Sequence, residues 1–196
     1  MKFKNKSKRI STETLALGAI LTALIVVLQI LAAPIRLGPF SISLVLIPIV
    51  IGAATCGVGM GSWLGFVFGV SVLISGDAAS FLAVDVFGTI VTVLAKGTLA
   101  GLLSGVAYKM ISVFHRYAAV IVAAIVCPVV NTGVFVIGGF TFFMDTLTEW
   151  GTSLGFDNVV AYMFLGMIGL NFLFELGFNI VLSPIIFRLL DYKKKK

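Results

Sequence analysis

The feature that most constrains this chain is a series of apolar blocks long enough to cross a lipid bilayer. The first block, residues 15–33, contains no charged side chain. A helix of about 20 mostly apolar residues spans the ~30 Å hydrocarbon core, because each residue adds ~1.5 Å. The blocks do not alternate between apolar and polar residues, as the ~10-residue strands of membrane barrels do. We therefore predict an all-α integral membrane protein.

The charge content supports this prediction and argues against a nucleic-acid partner. Only 11% of the residues are charged and 60% are hydrophobic, whereas soluble domains average ~25% charged residues. The net charge of +6 comes from basic tails at the two ends of the chain. Nucleic-acid binding requires a basic face on a folded soluble domain, and the sequence offers no such domain. The expected surroundings are a lipid bilayer.

The apolar blocks predict six membrane spans in a single bundle. Residues 1–12 form a basic N-terminal tail, residues 13–190 the six-helix membrane domain, and residues 191–196 a basic C-terminal tail. Spans two and three are short for a ~30 Å core. The predicted spans are Glu13–Ala33, Ser43–Cys56, Met60–Ser75, Gly88–Met110, Tyr117–Phe142 and Val159–Leu189.

The distribution of basic residues predicts that both termini are cytoplasmic. With the N-terminus inside, every Lys and Arg except Arg36 and Lys96 falls in a cytoplasmic segment. Such an excess of basic residues marks the inner side of a membrane protein. The outer loops, residues 76–87 and 144–158, mix acids with aromatic residues. We interpret this composition as recognition of a molecule that arrives from outside.

Polar side chains inside three consecutive spans fall at similar depths. A cation in hydrocarbon costs at least ~2.5–3.5 kcal/mol, so Lys96 needs a compensating partner. Counting ~1.5 Å per residue places Lys96 ~12 Å, Asn131 ~16 Å and Asn171 ~18 Å below the outer ends of spans four, five and six. Glu175 and Asn179 share the face of Asn171, at intervals of four residues.

We interpret these residues as a pocket for a small polar molecule with an anionic group. Carboxamides donate and accept hydrogen bonds, and a lysine can neutralise a carboxylate. One alternative is that the polar residues only join helices, at about 0.6 kcal/mol each. Another is an ion pair between Lys96 and Glu175, against which their depth difference of ~12 Å counts.

Two faces of small residues predict close helix packing. Gly97, Gly101 and Gly105 recur every fourth residue, a spacing that lets a neighbouring helix approach closely. Lys96 is offset by one residue, ~100° around the helix, beside this seam. Ala16, Ala19 and Ala23 form a second small face in span one, for internal packing or for another subunit.

The sequence provides no recognisable catalytic or metal-binding motif. Lys precedes Gly in residues 95–101, the wrong order for a phosphate-binding loop. The single histidine, His115, lies in a basic turn, and Cys56 and Cys127 lie in apolar segments without metal-ligand spacing. We therefore predict no enzyme and no cofactor in this chain. A secondary carrier is an alternative, with Glu175 as its one plausible coupling carboxylate, although no internal repeat is visible.

Several segments resemble the substrate-binding S components of energy-coupling factor (ECF) vitamin transporters. The segment FSISLVLIPIVIGAATCGVGMGSWLGFVFGV (40–70) is similar to the second and third helices of that family. LAKGTLAGLLSGVAYK (94–109) is similar to its fourth helix, and Ala19-x-x-x-Ala23 matches its first-helix alanine motif. The resemblance covers about residues 13–190 and is closest to the pantothenate type.

The resemblance implies a fold, a mechanism and a set of partners. It implies a six-helix bundle in the cell membrane that binds one water-soluble vitamin near the outer face. It implies docking through Ala16, Ala19 and Ala23 onto a transmembrane coupling subunit, the T component. Two ABC ATPases, which hold ATP and Mg, complete the importer, and the S component topples to release the vitamin inside. The pyridoxine or hydroxymethylpyrimidine, riboflavin and folate types are alternatives.

The resemblance also implies candidate site residues. The substrate-binding candidates that it implies are Arg36, Lys96, Asn131 and Asn171, to which Glu175 is added from its place one turn below Asn171. Lys-Gly in the fourth helix recurs in relatives with different substrates, so Lys96 has a structural or gating role as an alternative.

Overall fold

The computed structural model describes residues 11–33, 36–37, 40–41 and 44–195 as a helical bundle. The basic residues of the N-terminal tail, both prolines of residues 34–42, Ser43 and Lys196 lie outside the described residues. The elements in chain order are α1 (Thr12–Ala32), β1 (Arg36–Leu37), β2 (Phe40–Ser41), α2 (Leu46–Cys56), α3 (Val58–Ile74), α4 (Ala79–Leu82), α5 (Val86–Ile111), α6 (Arg116–Phe142), α7 (Met144–Ser153), α8 (Val159–Ala161), a π-helical segment (Tyr162–Ile168) and α9 (Gly169–Lys195).

Four helical stretches of the described chain are long and apolar enough to cross a membrane. They are α1, α5, α6 and the continuous stretch Val159–Arg188. The other two predicted spans correspond to α2 and α3, which are apolar but have only 11 and 17 residues. The six predicted apolar segments are thus all helical, whereas the number of full membrane crossings stays a prediction.

The short helix α2 lies at the centre of the bundle. It contacts α1, α3, α5, α6 and α9, and Leu46, Ile49 and Val50 are fully buried. A helix surrounded by protein does not have to match the bilayer thickness, because its ends meet protein rather than lipid. Pro48 falls in the first turn, where helical N–H groups lack an intrahelical acceptor in any case. This placement explains why span two is short.

The glycine repeat of α5 packs against a matching repeat on α3. A Cβ atom added at Gly65 would overlap the carbonyl oxygen of Gly97, and one added at Gly101 would overlap that of Gly61. The two backbones therefore touch along this seam, as the spacing predicted. On the opposite side, the Ser104 hydroxyl donates to the Ala123 carbonyl of α6 at 3.0 Å. These contacts hold α5 between α3 and α6.

The two predicted outer loops contain short helices joined by aromatic contacts. Phe81 of α4 packs edge-on against Phe143 and Trp150, with ring centroids 5.0 and 5.5 Å apart. The same ring meets Phe135 of α6 at 5.8 Å. Such edge-to-face pairs add about 0.5–1.5 kcal/mol each beyond area burial. This cluster links α4 and α7 to the end of α6.

The last predicted span differs from a regular α-helix in two ways. It opens with α8 and the seven-residue π-helical segment, and only then becomes α9. It also continues to Lys195, so the helix includes most of the residues predicted as a C-terminal tail. A π-helical segment changes which side chains face the bundle, an effect that hydrophobic spacing alone does not reveal.

Candidate functional site

A polar cavity lies among α1, α3, α5, α6 and α9. It contains about 520 Å³ of space, its open mouth included. Its polar lining consists of Gln29, Asp77, Lys96, Asn131, Thr132, Asn171 and Glu175. Its apolar lining consists of Phe68, Phe135, Met167, Ile168 and Phe172. Ligand sites in proteins combine apolar walls with a few convergent polar groups in this way.

Lys96 lies at the wall of the cavity, beside the glycine seam. Its Nζ atom is 5.7 Å from the ring centroid of Phe68 and 5.6 Å from that of Phe135. The ammonium also interacts electrostatically with the carboxylates of Glu175 and Asp77. Cation–π contacts and opposite charges both stabilise a cation that has left bulk water. These contacts provide the compensation that the sequence required.

The interaction between Lys96 and Glu175 differs from the sequence-based estimate. A depth difference of ~12 Å counted against contact of the two residues, yet both line the same cavity. The estimate assumed that span four begins at Gly88 and that span six is regular. In the structure, α5 begins at Val86 and α9 follows a π-helical segment, so the two side chains fall at closer levels.

The carboxamides of Asn131 and Asn171 present unused hydrogen-bonding atoms to the cavity. Their side chains are 6% and 7% exposed. Within the described part of the chain, Asn131 Oδ1 and both polar atoms of Asn171 have no hydrogen-bond partner. A buried polar atom without a partner costs ~1–3 kcal/mol. A polar ligand in the cavity would satisfy these atoms and remove that cost.

Three polar lining residues were missed by the sequence interpretation: Gln29, Asp77 and Thr132. Gln29 of α1 is 1% exposed; its Nε2 donates to Ser75 Oγ at 3.4 Å, and its Oε1 lacks a partner among the described residues. The sequence did contain a signal for Gln29, since it is a single amide side chain among the apolar residues of span one. Asp77 lies between α3 and α4 and was assigned only to an outer loop. Its approach to Lys96 depends on the loop path, which no local pattern indicates.

The face of α9 that carries Asn171, Glu175 and Asn179 is buried, as the four-residue spacing predicted. Asn171 and Glu175 line the cavity. Asn179 does not belong to the lining; its Nδ2 donates to the Glu175 carbonyl oxygen at 2.8 Å. The predicted polar face therefore divides into a cavity part and a packing part.

A smaller and more apolar recess adjoins the cavity. Asp77, Lys96 and Phe135 line both spaces. Phe81 and Phe143 of the aromatic cluster close the recess on its other side. Phe81 of α4 and Phe143, at the junction of α6 and α7, thus line a recess that shares Phe135 with the cavity.

The predicted docking alanines do not belong to the cavity lining, and Arg36 is placed only by its backbone. Ala16, Ala19 and Ala23 are exposed on α1, which leaves this face free for lipid or another subunit. Arg36 lies in β1, which pairs antiparallel with β2. The position of its side chain lies outside what the structure describes.

Together, the long apolar helices and the internal polar cavity describe a helical bundle suited to a membrane, with a cavity lined by polar side chains. Residues 13–187 match the family model described as "ECF transporter, substrate-specific component", and the chain belongs to this family. Comparisons with curated proteins and with solved structures give no match. Members of the family are substrate-binding membrane subunits rather than enzymes.

Proposed function

We propose that this chain is the substrate-binding subunit of an ECF-type ABC importer. It captures a water-soluble vitamin from outside and delivers it inward by toppling on an ATP-driven coupling module. Membership in the family supports the role. The observation that carries the proposal is the buried pair Asn131 and Asn171, whose unused amide atoms meet Lys96 at one cavity.

The proposed orientation places both termini in the cytoplasm and the protein in the plasma membrane. It is supported by the excess of Lys and Arg in the predicted inner segments. In this orientation the aromatic cluster of α4 and α7 is on the outside, next to the cavity. The vitamin therefore enters from the side on which these helices lie.

The proposed partners are a T component and two ABC ATPases. The exposed alanines Ala16, Ala19 and Ala23 of α1 form the proposed docking contact, because small side chains let a partner helix approach closely. ATP and Mg would be bound by the ATPases. Substrate binding, by contrast, requires only this chain.

Pantothenate is the vitamin that the sequence favours. That choice follows from the resemblance to the pantothenate type, and one cation with several carboxamides suits an anion that has hydroxyl and amide groups. The pyridoxine or hydroxymethylpyrimidine, riboflavin and folate types are the alternatives. Identification by mass spectrometry of the ligand that copurifies with the full chain decides among them.

Reconstitution tests the role itself. We expect liposomes that contain the chain with its T component and ATPases to accumulate the copurifying vitamin only when ATP is supplied. Liposomes with the chain alone should bind the vitamin without accumulating it. Uptake by the chain alone, driven by a proton or sodium gradient, would instead identify a stand-alone carrier, with Glu175 as the coupling group.

A further inference from the structure

The cavity has more negative than positive charge among its described lining residues. The ionisable groups in that lining are Asp77, Lys96 and Glu175. With all three ionised, their charges sum to −1. From the sequence, an anionic ligand is expected because the site contains Lys96 and carboxamides. Asp77 is not part of the site predicted in this way. The position of Asp77 therefore changes which ligand the site suits.

The positive charge of Lys96 is already engaged by the protein. Its ammonium lies over the rings of Phe68 and Phe135 and interacts with both carboxylates. An anionic ligand would have to displace these groups from Lys96 or accept two nearby like charges. Charges interact more strongly in a partly desolvated cavity than in water. We therefore expect a ligand with a carboxylate to bind this cavity more weakly than the same ligand without it.

The other walls suit a flat ring with polar substituents. Phe68, Phe135 and Phe172 contribute three aromatic side chains to one cavity. Aromatic side chains pack favourably against ring systems and against cations. The unused atoms of Asn131, Asn171 and Gln29 include both acceptors and a donor. Hydroxyl or amino groups on a ring would satisfy them.

We infer that the ligand is a small aromatic nitrogen heterocycle with hydroxyl or amino substituents and no net negative charge. This inference builds on the proposed function and narrows its substrate class. It separates the candidate vitamins, since pyridoxine and hydroxymethylpyrimidine fit the class whereas pantothenate and folate carry carboxylates.

Two matched pairs of probes test the charge requirement on the purified full chain by competition against its copurified ligand. Pyridoxamine and 4-pyridoxic acid share a ring and differ at one position, where pyridoxamine has an aminomethyl group, a cation at neutral pH, and 4-pyridoxic acid has a carboxylate. Panthenol and pantothenate differ in a hydroxymethyl group against a carboxylate. We expect the member without the carboxylate to bind about tenfold tighter or more in each pair, because the cavity's own acids repel the carboxylate. Equal affinities or tighter binding of the carboxylate in the pyridoxamine pair, or tighter binding of pantothenate than of panthenol, would overturn the inference.

The ring requirement is tested by comparing pyridoxine with panthenol, which are both uncharged. We expect pyridoxine to bind about tenfold tighter or more, because only pyridoxine offers a flat ring to the phenylalanines. Tighter binding of panthenol would contradict the ring assignment. Failure of both pyridoxine and pyridoxamine to bind would overturn the inference as a whole.

A variant tests whether the acids of the cavity cause the preference for ligands without a carboxylate. Glu175→Gln keeps the size of the side chain and removes one negative charge, and we expect it to reduce the preference of pyridoxamine over 4-pyridoxic acid about tenfold. Glu149→Gln is the matched control, because Glu149 is exposed on α7 and outside the cavity lining. An unchanged preference in Glu175→Gln, or an equal loss in the control, would contradict the inference.

An anionic vitamin found by mass spectrometry would also overturn the inference, yet leave the proposed function intact. Absence of ATP-dependent uptake would instead remove the proposed function.

Discussion

Lys96 is a single residue that predicted a polar site inside the bundle from the sequence alone. Its charge is unfavourable in an apolar helix, so a compensating environment had to exist. The structure supplies two aromatic faces and two carboxylates around it. Those carboxylates in turn depend on Lys96 for their positive partner, and this mutual dependence makes the group testable.

We expect Lys96→Met to lower the free energy of unfolding by about 3 kcal/mol, because it leaves the buried carboxylate of Glu175 and the half-buried one of Asp77 without this cation. The measurement is unfolding by titration with a denaturing detergent. The double variant Lys96→Met with Glu175→Gln should recover part of the loss. Lys109→Met is the control, since Lys109 is exposed on the same helix. A loss no larger than in this control would contradict the assigned role of Lys96.

The two cavity carboxamides give a second prediction at this scale. Asn131→Ala and Asn171→Ala should each weaken binding of the copurifying vitamin about tenfold, the equivalent of ~1.4 kcal/mol for a lost hydrogen bond. Isothermal titration calorimetry measures the effect. Asn179→Ala is the control, because Asn179 lies on α9 with Asn171 but outside the cavity lining; this variant should retain affinity. Unchanged affinity in both cavity variants would remove the proposed pocket.

At the level of elements, the seam between α3 and α5 sets the position of Lys96. Glycines on both helices bring the two backbones into contact. Lys96 precedes Gly97 by one residue, so it is held at the edge of this contact and directed towards the cavity. The same close approach makes the seam intolerant of larger side chains.

We expect Gly65→Ala to destabilise the protein by about 1–3 kcal/mol, because its Cβ would overlap the Gly97 carbonyl oxygen. Gly59→Ala, on the same helix with open space around its Cβ, should be neutral or slightly stabilising. Thermal unfolding in detergent compares the two variants. Equal stability would show that α3 and α5 can separate without loss.

The exposed face of α1 supports a prediction about assembly. Replacing Ala19 and Ala23 together by Leu should leave vitamin binding unchanged and abolish ATP-dependent uptake, because bulk on this face blocks the approach of a partner helix. Gly177→Leu adds bulk to another exposed helix face and should retain uptake. Loss of vitamin binding with intact assembly would reverse the assignment of this face.

At the scale of the whole molecule, α2 and the short helices α4 and α7 connect the long helices that surround the cavity. The buried α2 contacts five other helices, and the aromatic cluster joins α4 and α7 to the cavity wall at Phe135. This arrangement gives the two sides of the protein different character. One side carries acids and aromatic helices, and the other carries short turns and basic residues.

Single cysteines test the orientation in intact cells. In a Cys56→Ala background, where Cys127 is fully buried, a thiol reagent that does not cross membranes should label Glu149→Cys. It should label Val113→Cys, in the turn between α5 and α6, only after the membrane is opened. The opposite pattern would invert the proposed topology and move the cavity mouth to the cytoplasmic side.

The sequence by itself determined the helical membrane class, the apolar segments, the glycine seam and the family. The first three depend on length, local composition and four-residue spacing, which are properties of a single segment. The family was indicated by the resemblance of whole segments and is shown by the match over residues 13–187. The cavity residues on long helices, Lys96, Asn131 and Asn171, were also identifiable, since a polar group in hydrocarbon needs a reason to be there.

Only the tertiary structure decided which acids meet Lys96 and which residues close the site. Asp77 reaches the cavity through a loop, Glu175 through a helix whose register follows a π-helical segment, and Gln29 through the packing of α1. These placements result from contacts between distant segments, so no local pattern encodes them. The number of acidic and basic groups in the described cavity lining depends on which distant segments meet there, so only the tertiary structure revealed it.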